Sequence, residues 1–365
     1  MFVYIIAIAL SMTFAYYAYN AKGIEQLKST YRTLCILTFL PMTFVSVIRY
    51  EVGTDWPIYK EYFHMINQGV DKFNEPLFNL LNRVVYLFTH HSWALFAVCA
   101  FIICYFTFRA FMEQSINPAY SILIFVLSGD YFNSQNQIRQ AMAMAIFLYA
   151  MKYIKSRELI KYVVWIVIAG LIHASAFIYL PVYFLYGKKI NAKLLGLIYA
   201  AIVVFLPVMN KVMVFVVSKT RYNWYFDSAY NMNEFYKLGF LVTSFFMVVT
   251  LFYYYYGQKH WKKKSEEGAE CEDYEYNLMT YLYYFAAVSV LFSAAIPQMI
   301  RITTALSIVT PFLFPRMMVR EHKRNRRLVL YALVTGVFFV KILYDVLHNG
   351  WYDAVPYQTI FSRLF

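Results

Sequence analysis

Apolar runs of roughly membrane-span length recur from one end of this chain to the other, and the stretches between them are short. A helix crossing a bilayer needs ~20 predominantly apolar residues. Runs of this kind occupy 2–20, 33–48, 92–111, 119–132, 139–154, 194–209, 237–256, 276–296, 301–318 and 328–347, and two less regular ones lie at 75–90 and 162–186. Of the 365 residues, 61% are hydrophobic and 15% charged, against about 25% charged in an ordinary soluble domain. The pattern predicts an all-α polytopic membrane protein of about 10–12 transmembrane helices with some broken or re-entrant ones. No linker or repeat divides the chain, so a single integral-membrane domain over 1–365 is expected. The first run lacks a basic leader and a small-residue cleavage site, which reads as a retained helix.

The net charge of +13 would suit nucleic acid, but its distribution points elsewhere. Lysine and arginine cluster in short loops: Lys22, Lys28 and Arg32; Lys152, Lys155, Arg157 and Lys161; Lys188, Lys189 and Lys193; Lys259 and Lys262 to Lys264; Arg320 to Arg327. That is the positive-inside pattern, so these loops face the cytoplasm and the partner is a lipid bilayer, with no nucleic acid. Segments 49–74, 130–138, 210–236, 297–300 and 348–365 then fall outside. Segment 162–186 has basic residues at both ends yet is too short for two crossings, so a pair of half-membrane helices breaking near His173 is expected. Segment 75–90 reads as a helix lying at, or dipping into, the outer face. The basic-then-acidic loop 259–275 reads as a solvated turn. The four cysteines (Cys35, Cys99, Cys104, Cys271) have neither CxxC nor Cys/His metal spacing, so neither a disulfide nor a metal is expected.

The outer segments hold the chemistry. Arg49 ends the second run. Asp55 and Tyr59 share a face if 54–64 is helical, because residues four apart are neighbours, and Gly53-Thr54 supplies a turn and cap before them. Asn74-Glu75-Pro76 reads as the start of the next helix, capped by Asn74. Helix-start electrostatics is the plain alternative for both Asp55 and Glu75. In Asn133-Ser-Gln-Asn-Gln-Ile-Arg-Gln140, a continuing helix puts Asn136, Arg139 and Gln140 on one face; Arg139 otherwise snorkels to the interface. His173 is either a satisfied core residue or a proton-transferring group at the helix break. Arg301 follows Pro297 at the mouth of a later run. Three arginines at outer mouths (Arg49, Arg139, Arg301) suit a diphosphate, which arginine binds bidentately. The outer loop 210–236, with Lys211, Lys219, Arg221, Trp224, Tyr225, Asp227 and Glu234, reads either as a sugar-facing surface or as an interfacial aromatic belt.

Taken in order, Arg-x-x-x-Gly-Thr-Asp-x-x-x-Tyr (49–59), Glu-Pro-Leu-Phe (75–78), Asn-x-Ile-Arg-Gln (136–140), His-x-Ser-Ala (173–176) and Arg301 resemble the EpsG family of Wzy-like polysaccharide polymerases. The resemblance implies a membrane glycosyltransferase of the GT-C type without cofactor. Its substrate would be an undecaprenyl-diphosphate-linked oligosaccharide, handled at the outer (periplasmic) face of a bacterial plasma membrane in O-antigen, capsule or exopolysaccharide synthesis. A flippase and a chain-length regulator are the further partners it implies. In that chemistry Arg139, Arg301 and Arg49 are the diphosphate candidates. Asp55, His173 and Glu75, in that order, are candidates for the general base, and Tyr59, Asn136 and Gln140 position sugar or phosphate. The competing readings are a transporter or flippase for a lipid-linked oligosaccharide, an O-antigen ligase, and an acyltransferase using His173; the absence of an internal repeat argues against the first.

Overall fold

The computed structural model describes residues 2–220, 223–227, 235–265 and 273–363. All regular structure among them is helical: α1 (Phe2–Ala21), α2 (Lys28–Val47), α3 (Trp56–Asn67), α4 (Pro76–Phe88), α5 (Trp93–Gln114), α6 (Pro118–Leu127), α7 (Asp130–Asn136), α8 (Ile138–Lys155), α9 (Leu159–Ile172), α10 (Ala192–Val204), α11 (Leu206–Ser218), α12 (Lys237–Ser265), α13 (Tyr274–Val290), α14 (Met299–Ser307), α15 (Thr310–Arg320) and α16 (Arg324–Asn349). This is the expected all-α polytopic membrane protein. Among the described residues, five helices are long and apolar enough to cross a bilayer, or seven spans if two bent pairs each count as one.

The ten apolar runs also include those carried by α6, α8 and α13, helices of 10, 18 and 17 residues that fall outside this set, and others are bent or cut short. The run at 194–209 bends by 85° between α10 and α11, where Pro207 opens the new helix. The run at 301–318 bends by 47° between α14 and α15, again at a proline, Pro311. Proline lacks the N–H that would continue the preceding helix but fits the first turn of the next. The run at 119–132 stops at Leu127, and Gly129 turns the corner with φ 96°, a left-handed conformation that glycine adopts without strain. The part of loop 210–236 expected outside begins inside α11, and its Arg221, Glu234 and Tyr225 side chains lie outside the described residues; of the turn expected at 259–275, residues 259–265 continue α12 instead, and 266–272, with Cys271, lie outside the described residues.

The chain forms two compact units, Met1–Tyr183 with Val334–Phe365 and Phe184–Leu333. The first is assembled from both ends of the sequence, which is why no linker marks a boundary. In this unit α8 is buried on nearly every side, from Ile138 through Ile154, and packs between α5 and α9. A helix apolar all round belongs in an interior. The buried face of α1 is Ala7, Ser11, Ala15 and Ala18 below Tyr4; such small residues let the α2 backbone approach closely. Thirteen-residue α4 is about 20 Å long, too short for the hydrocarbon core. It buries Phe78, Asn79, Asn82 and Val85 and exposes Leu80, Val84, Leu87 and Phe88.

The chain does break at His173. That residue is extended (φ −153°, ψ 114°) and ends α9; a twelve-residue 3-10 helix, Ala174–Leu185, follows. So long a 3-10 run is uncommon, since its hydrogen bonds are poorer than those of an α-helix. At the other corner of this unit, Lys341 donates to Asp345 Oδ2 (2.9 Å) and to the Ser128 carbonyl (3.0 Å), while the Ser128 hydroxyl donates to Asp130 (2.7 Å). This buried charge set fixes the α6–α7 corner against α16.

In the second unit α12, α13 and α15 pack together around a charge cluster. Arg316 meets Asp273 (3.5 Å) and Glu275, and Arg320 approaches Asp273 (3.9 Å) and donates to the Tyr253 carbonyl (3.2 Å). Arg301 lies in the first turn of α14.

Candidate active site

Glu75 is the centre of the site in the first unit. It occupies the N-cap position of α4, and its side chain makes no capping bond; Asn74, expected to cap, is one residue too early. The carboxylate turns instead to two other elements. Oε2 accepts from Arg139 Nη1 at 2.9 Å, at the start of α8. Oε1 lies 3.4 Å from His173 Nδ1 and 3.4 Å from the Ala174 backbone N–H, at the α9 break. Three chain segments, at Glu75, Arg139 and His173–Ala174, thus converge on one carboxylate. The two breaks make this possible: a continuous α9 would use the Ala174 N–H internally, and helix-start residues have unspent N–H groups.

Burial pushes the Glu75 carboxyl up, but hydrogen bonding from His173, the Arg139 cation and the Ala174 N–H outweigh it and hold the group down to about 2. An acid of that strength stays ionised at neutral pH and is a poor proton acceptor. Paired in this way it anchors its neighbours, an arrangement that disfavours its acting as the proton acceptor.

Arg139 is also held by aromatic faces. Its guanidinium carbon sits 3.9 Å from the Phe73 ring centroid and 5.8 Å from those of Tyr59 and Phe78, and Nε donates to the Tyr59 hydroxyl at 3.3 Å. The rings stack on the planar cation and orient its fork. The bonds to Glu75 and Tyr59 use two of the five guanidinium donors. An arginine so placed is a positioned cation, in contrast to one snorkelling to an interface.

Asp55 is the N-cap residue of α3 and, like Glu75, makes no side-chain cap bond. Its backbone N–H donates to Asn136 Oδ1 at 2.8 Å, and the Thr54 hydroxyl donates to the same oxygen at 3.3 Å. Gly53 makes the approach possible: with φ 108°, an added Cβ would lie 3.0 Å from the Gln135 carbonyl oxygen. The Asp55 charge acts on Arg139, so the two belong to one electrostatic neighbourhood.

Two expectations are corrected by this arrangement. Asn136, Arg139 and Gln140 do not share one helical face. The helix breaks at Gln137 (φ −86°, ψ 59°), so Asn136 ends α7 and serves the Asp55 turn, while Arg139 opens α8 and serves Glu75. Gln140 is buried on α8. Arg49 does not stand at an open mouth. It is 1% exposed, and it donates to the carbonyls of Ser46 (2.8 Å) and Gln135 (3.2 Å) beside the Phe96 ring, itself stacked on Trp56 at 3.5 Å. Such an arginine braces the backbone and meets no diphosphate in this conformation. Arg301 belongs to the second unit. Among the described residues no group of three or more His, Cys, Asp or Glu side chains is placed to hold a metal ion.

The sequence reading missed Phe73, whose ring supports Arg139, and the C-terminal residues around Thr359, which pair with Arg49. A lone phenylalanine before a helix and a polar tail carry no signal until the fold joins them.

A polytopic helical bundle with a ring-held arginine and histidine on a shared carboxylate defines a membrane protein with a charged site built at helix breaks. The sequence matches the EpsG family over residues 32–359, and the chain belongs to that family. Membership assigns it to polysaccharide biosynthesis, in a polymerase-like glycosyltransferase role. No curated protein and no solved structure matches the chain.

Proposed function

We propose that the chain is a Wzy-type polymerase of GT-C character, joining oligosaccharide repeat units carried on undecaprenyl diphosphate at the outer face of a bacterial plasma membrane. The observation that supports this most is the single Glu75 carboxylate shared by Arg139 and His173, because it sets a phosphate-binding cation and a proton acceptor side by side. In the reaction, an acceptor-sugar hydroxyl loses its proton and its oxygen bonds to the anomeric carbon of the donor glycan. The bond from that carbon to the lipid diphosphate breaks, and the electron pair leaves on the diphosphate.

Arg139 meets the charge developing on the leaving diphosphate, using donors beyond those given to Glu75 and Tyr59. His173, with its Nδ1 turned toward Glu75, is the base that takes the hydroxyl proton. Asp55, in the field of Arg139, is the competing base. Tyr59 and Asn136 are assigned to positioning, and Arg301 remains a diphosphate candidate on the family resemblance alone.

The test uses the purified protein with undecaprenyl-diphosphate-linked repeat units and resolves the products by gel. A ladder of increasing length supports polymerisation; unchanged substrate overturns it in favour of transport or ligation. With the ladder in hand, pH–rate profiles separate the bases, since an unperturbed imidazole titrates near ~6.5 and an aspartate near ~3.9. An acid limb in the imidazole range that disappears with His173→Gln supports His173. A limb near the carboxylate range abolished by Asp55→Asn transfers the role to Asp55.

A further inference from the structure

In a molecule otherwise built from helices, one pair of extended residues stands out: Arg49 and Thr359 form an antiparallel bridge, the sole isolated one among the described residues. The Tyr50 N–H donates to the Gln358 carbonyl at 3.0 Å, and the Ile360 N–H donates to the Ile48 carbonyl at 2.9 Å. Two hydroxyls extend the attachment. Tyr357 donates to the Val45 carbonyl (2.6 Å), and Tyr4 of α1 donates to the Ala354 carbonyl (3.1 Å) with its ring 5.2 Å from that of Tyr357. The C-terminal segment therefore grips the end of α2 and the three residues after it, more than three hundred positions away in sequence.

What it grips leads directly to the site. Arg49, fixed on its backbone by the tail, sends its guanidinium to the Gln135 carbonyl. The next residue, Asn136, accepts from Thr54 and Asp55, and Gly53 closes against the same corner. The register of residues 48–50 thereby sets where the Asp55 turn meets the α7–α8 break, one residue from Arg139's helix. A helix such as α2 can end with its last carbonyls in solvent; here the Val45, Ser46 and Ile48 carbonyls all receive donors from Tyr357, Arg49 and Ile360. The match to the EpsG family also runs through the tail, ending at Thr359.

We infer that residues 354–360 are a positioning element of the active site, a strap that holds the Arg49–Asp55 segment in its working register. The inference rests on the proposed polymerase reading for its kinetic consequence and on geometry alone for its mechanical one. The experiment measures both. Ile360→Pro removes the N–H that bonds Ile48, whereas Ile360→Val keeps it. Both variants and the unaltered protein are purified in detergent; hydrogen exchange is followed across 48–56, and kcat and KM are measured with lipid-linked repeat units.

The strap predicts faster exchange across 48–56 in Ile360→Pro with exchange in α5 and α8 unchanged. It also predicts a kcat lower by on the order of 10- to 100-fold, as small misplacements of catalytic groups cost, with KM within about 2-fold and Ile360→Val like the unaltered protein. Unchanged exchange overturns the strap. Faster exchange with full kcat overturns its positioning role. Should the proline variant fail to accumulate in membranes, Tyr357→Phe, which loses the bond to Val45, is read by the same two measurements. If the unaltered protein forms no polymer, the polymerase reading fails by itself, and exchange across 48–56 still decides whether the tail holds this segment.

Discussion

Arg316 and Arg320 of the second unit face Asp273 and Glu275, two cations for two carboxylates; in the first unit a single carboxylate, Glu75, serves both Arg139 and His173. The second-unit cluster is closed. Arg320 is 2% exposed, lies 4.3 Å from the Tyr276 ring centroid, donates to the Tyr253 carbonyl and passes so near Gly257 that a Cβ there would come within 2.8 Å of Nε. The first-unit cluster keeps hydrogen-bond donors in hand: Arg139 gives bonds to Glu75 and Tyr59 and otherwise rests on rings, which accept no strong hydrogen bond from it. The contrast teaches that a buried arginine–carboxylate pair is weak evidence for function. The imbalance between donors and acceptors is what the proposed diphosphate role draws on.

The largest expected effect tests that contrast. Arg139→Ala removes the proposed diphosphate cation and lowers polymer formation by on the order of 10²–10³-fold, the scale seen when one donor to a developing oxyanion is lost, while the protein still accumulates in membranes. Arg139→Lys restores little, since an ammonium cannot serve Glu75, Tyr59 and a phosphate with one fork. Arg320→Ala should do the reverse. It leaves the Tyr253 carbonyl without its donor and Asp273 with Arg316 alone, and costs about 1–3 kcal/mol of stability, read as earlier loss of folded protein in a thermal-shift series, with specific activity per folded molecule within about 2-fold. If the two variants exchange phenotypes, the assignment of the two clusters is reversed.

The asymmetry between these clusters also marks what the sequence makes legible. Arg139, Glu75, His173 and Asp55 are polar residues beside apolar runs, where their cost demands a reason, so they stand out by position. The helix break at His173 follows from a length conflict that any reader of the charges can count. Asp273, Glu275, Arg316 and Arg320 sit at the ends of spans among other charges, and their pairing depends on which helices pack together. Arg49 illustrates the converse: adjacency to Gly53 and Asp55 in sequence suggests a shared open mouth, yet its side chain points inward to the Gln135 carbonyl. Pro207 and Pro311 make a similar point: each bends what hydropathy alone sums as one straight crossing.

An intermediate effect comes from the anchor. Glu75→Gln keeps the shape and removes the charge, and it should lower kcat by about 10- to 100-fold, since His173 loses its orienting partner and Arg139 its counter-ion. The pH dependence carries a sign. The folded-state value, about 2, lies below the ordinary 4.5, so the stabilisation from ionised Glu75 is fully present above pH 4.5 and is lost as pH falls toward 2. Thermal stability of the unaltered protein should therefore decline in that window more than that of Glu75→Gln. Parallel acid-stability curves for the two proteins would remove the anchor from this account.

The smallest effect probes the link between the two halves of the site. Asn136→Ala leaves the Asp55 N–H and the Thr54 hydroxyl without their shared acceptor, a loss on the order of 1–3 kcal/mol if water does not replace it. Asn136→Asp keeps an oxygen at that position. If the α7 end serves only to hold the Asp55 turn, the alanine variant slows polymerisation several-fold, the aspartate variant recovers most of the rate, and neither alters the Arg139–Glu75 pairing, which hangs from the other side of the Gln137 break. A rate loss in Asn136→Asp as large as in Asn136→Ala would mean that the amide nitrogen of Asn136, free of the Asp55 turn, contacts the substrate itself.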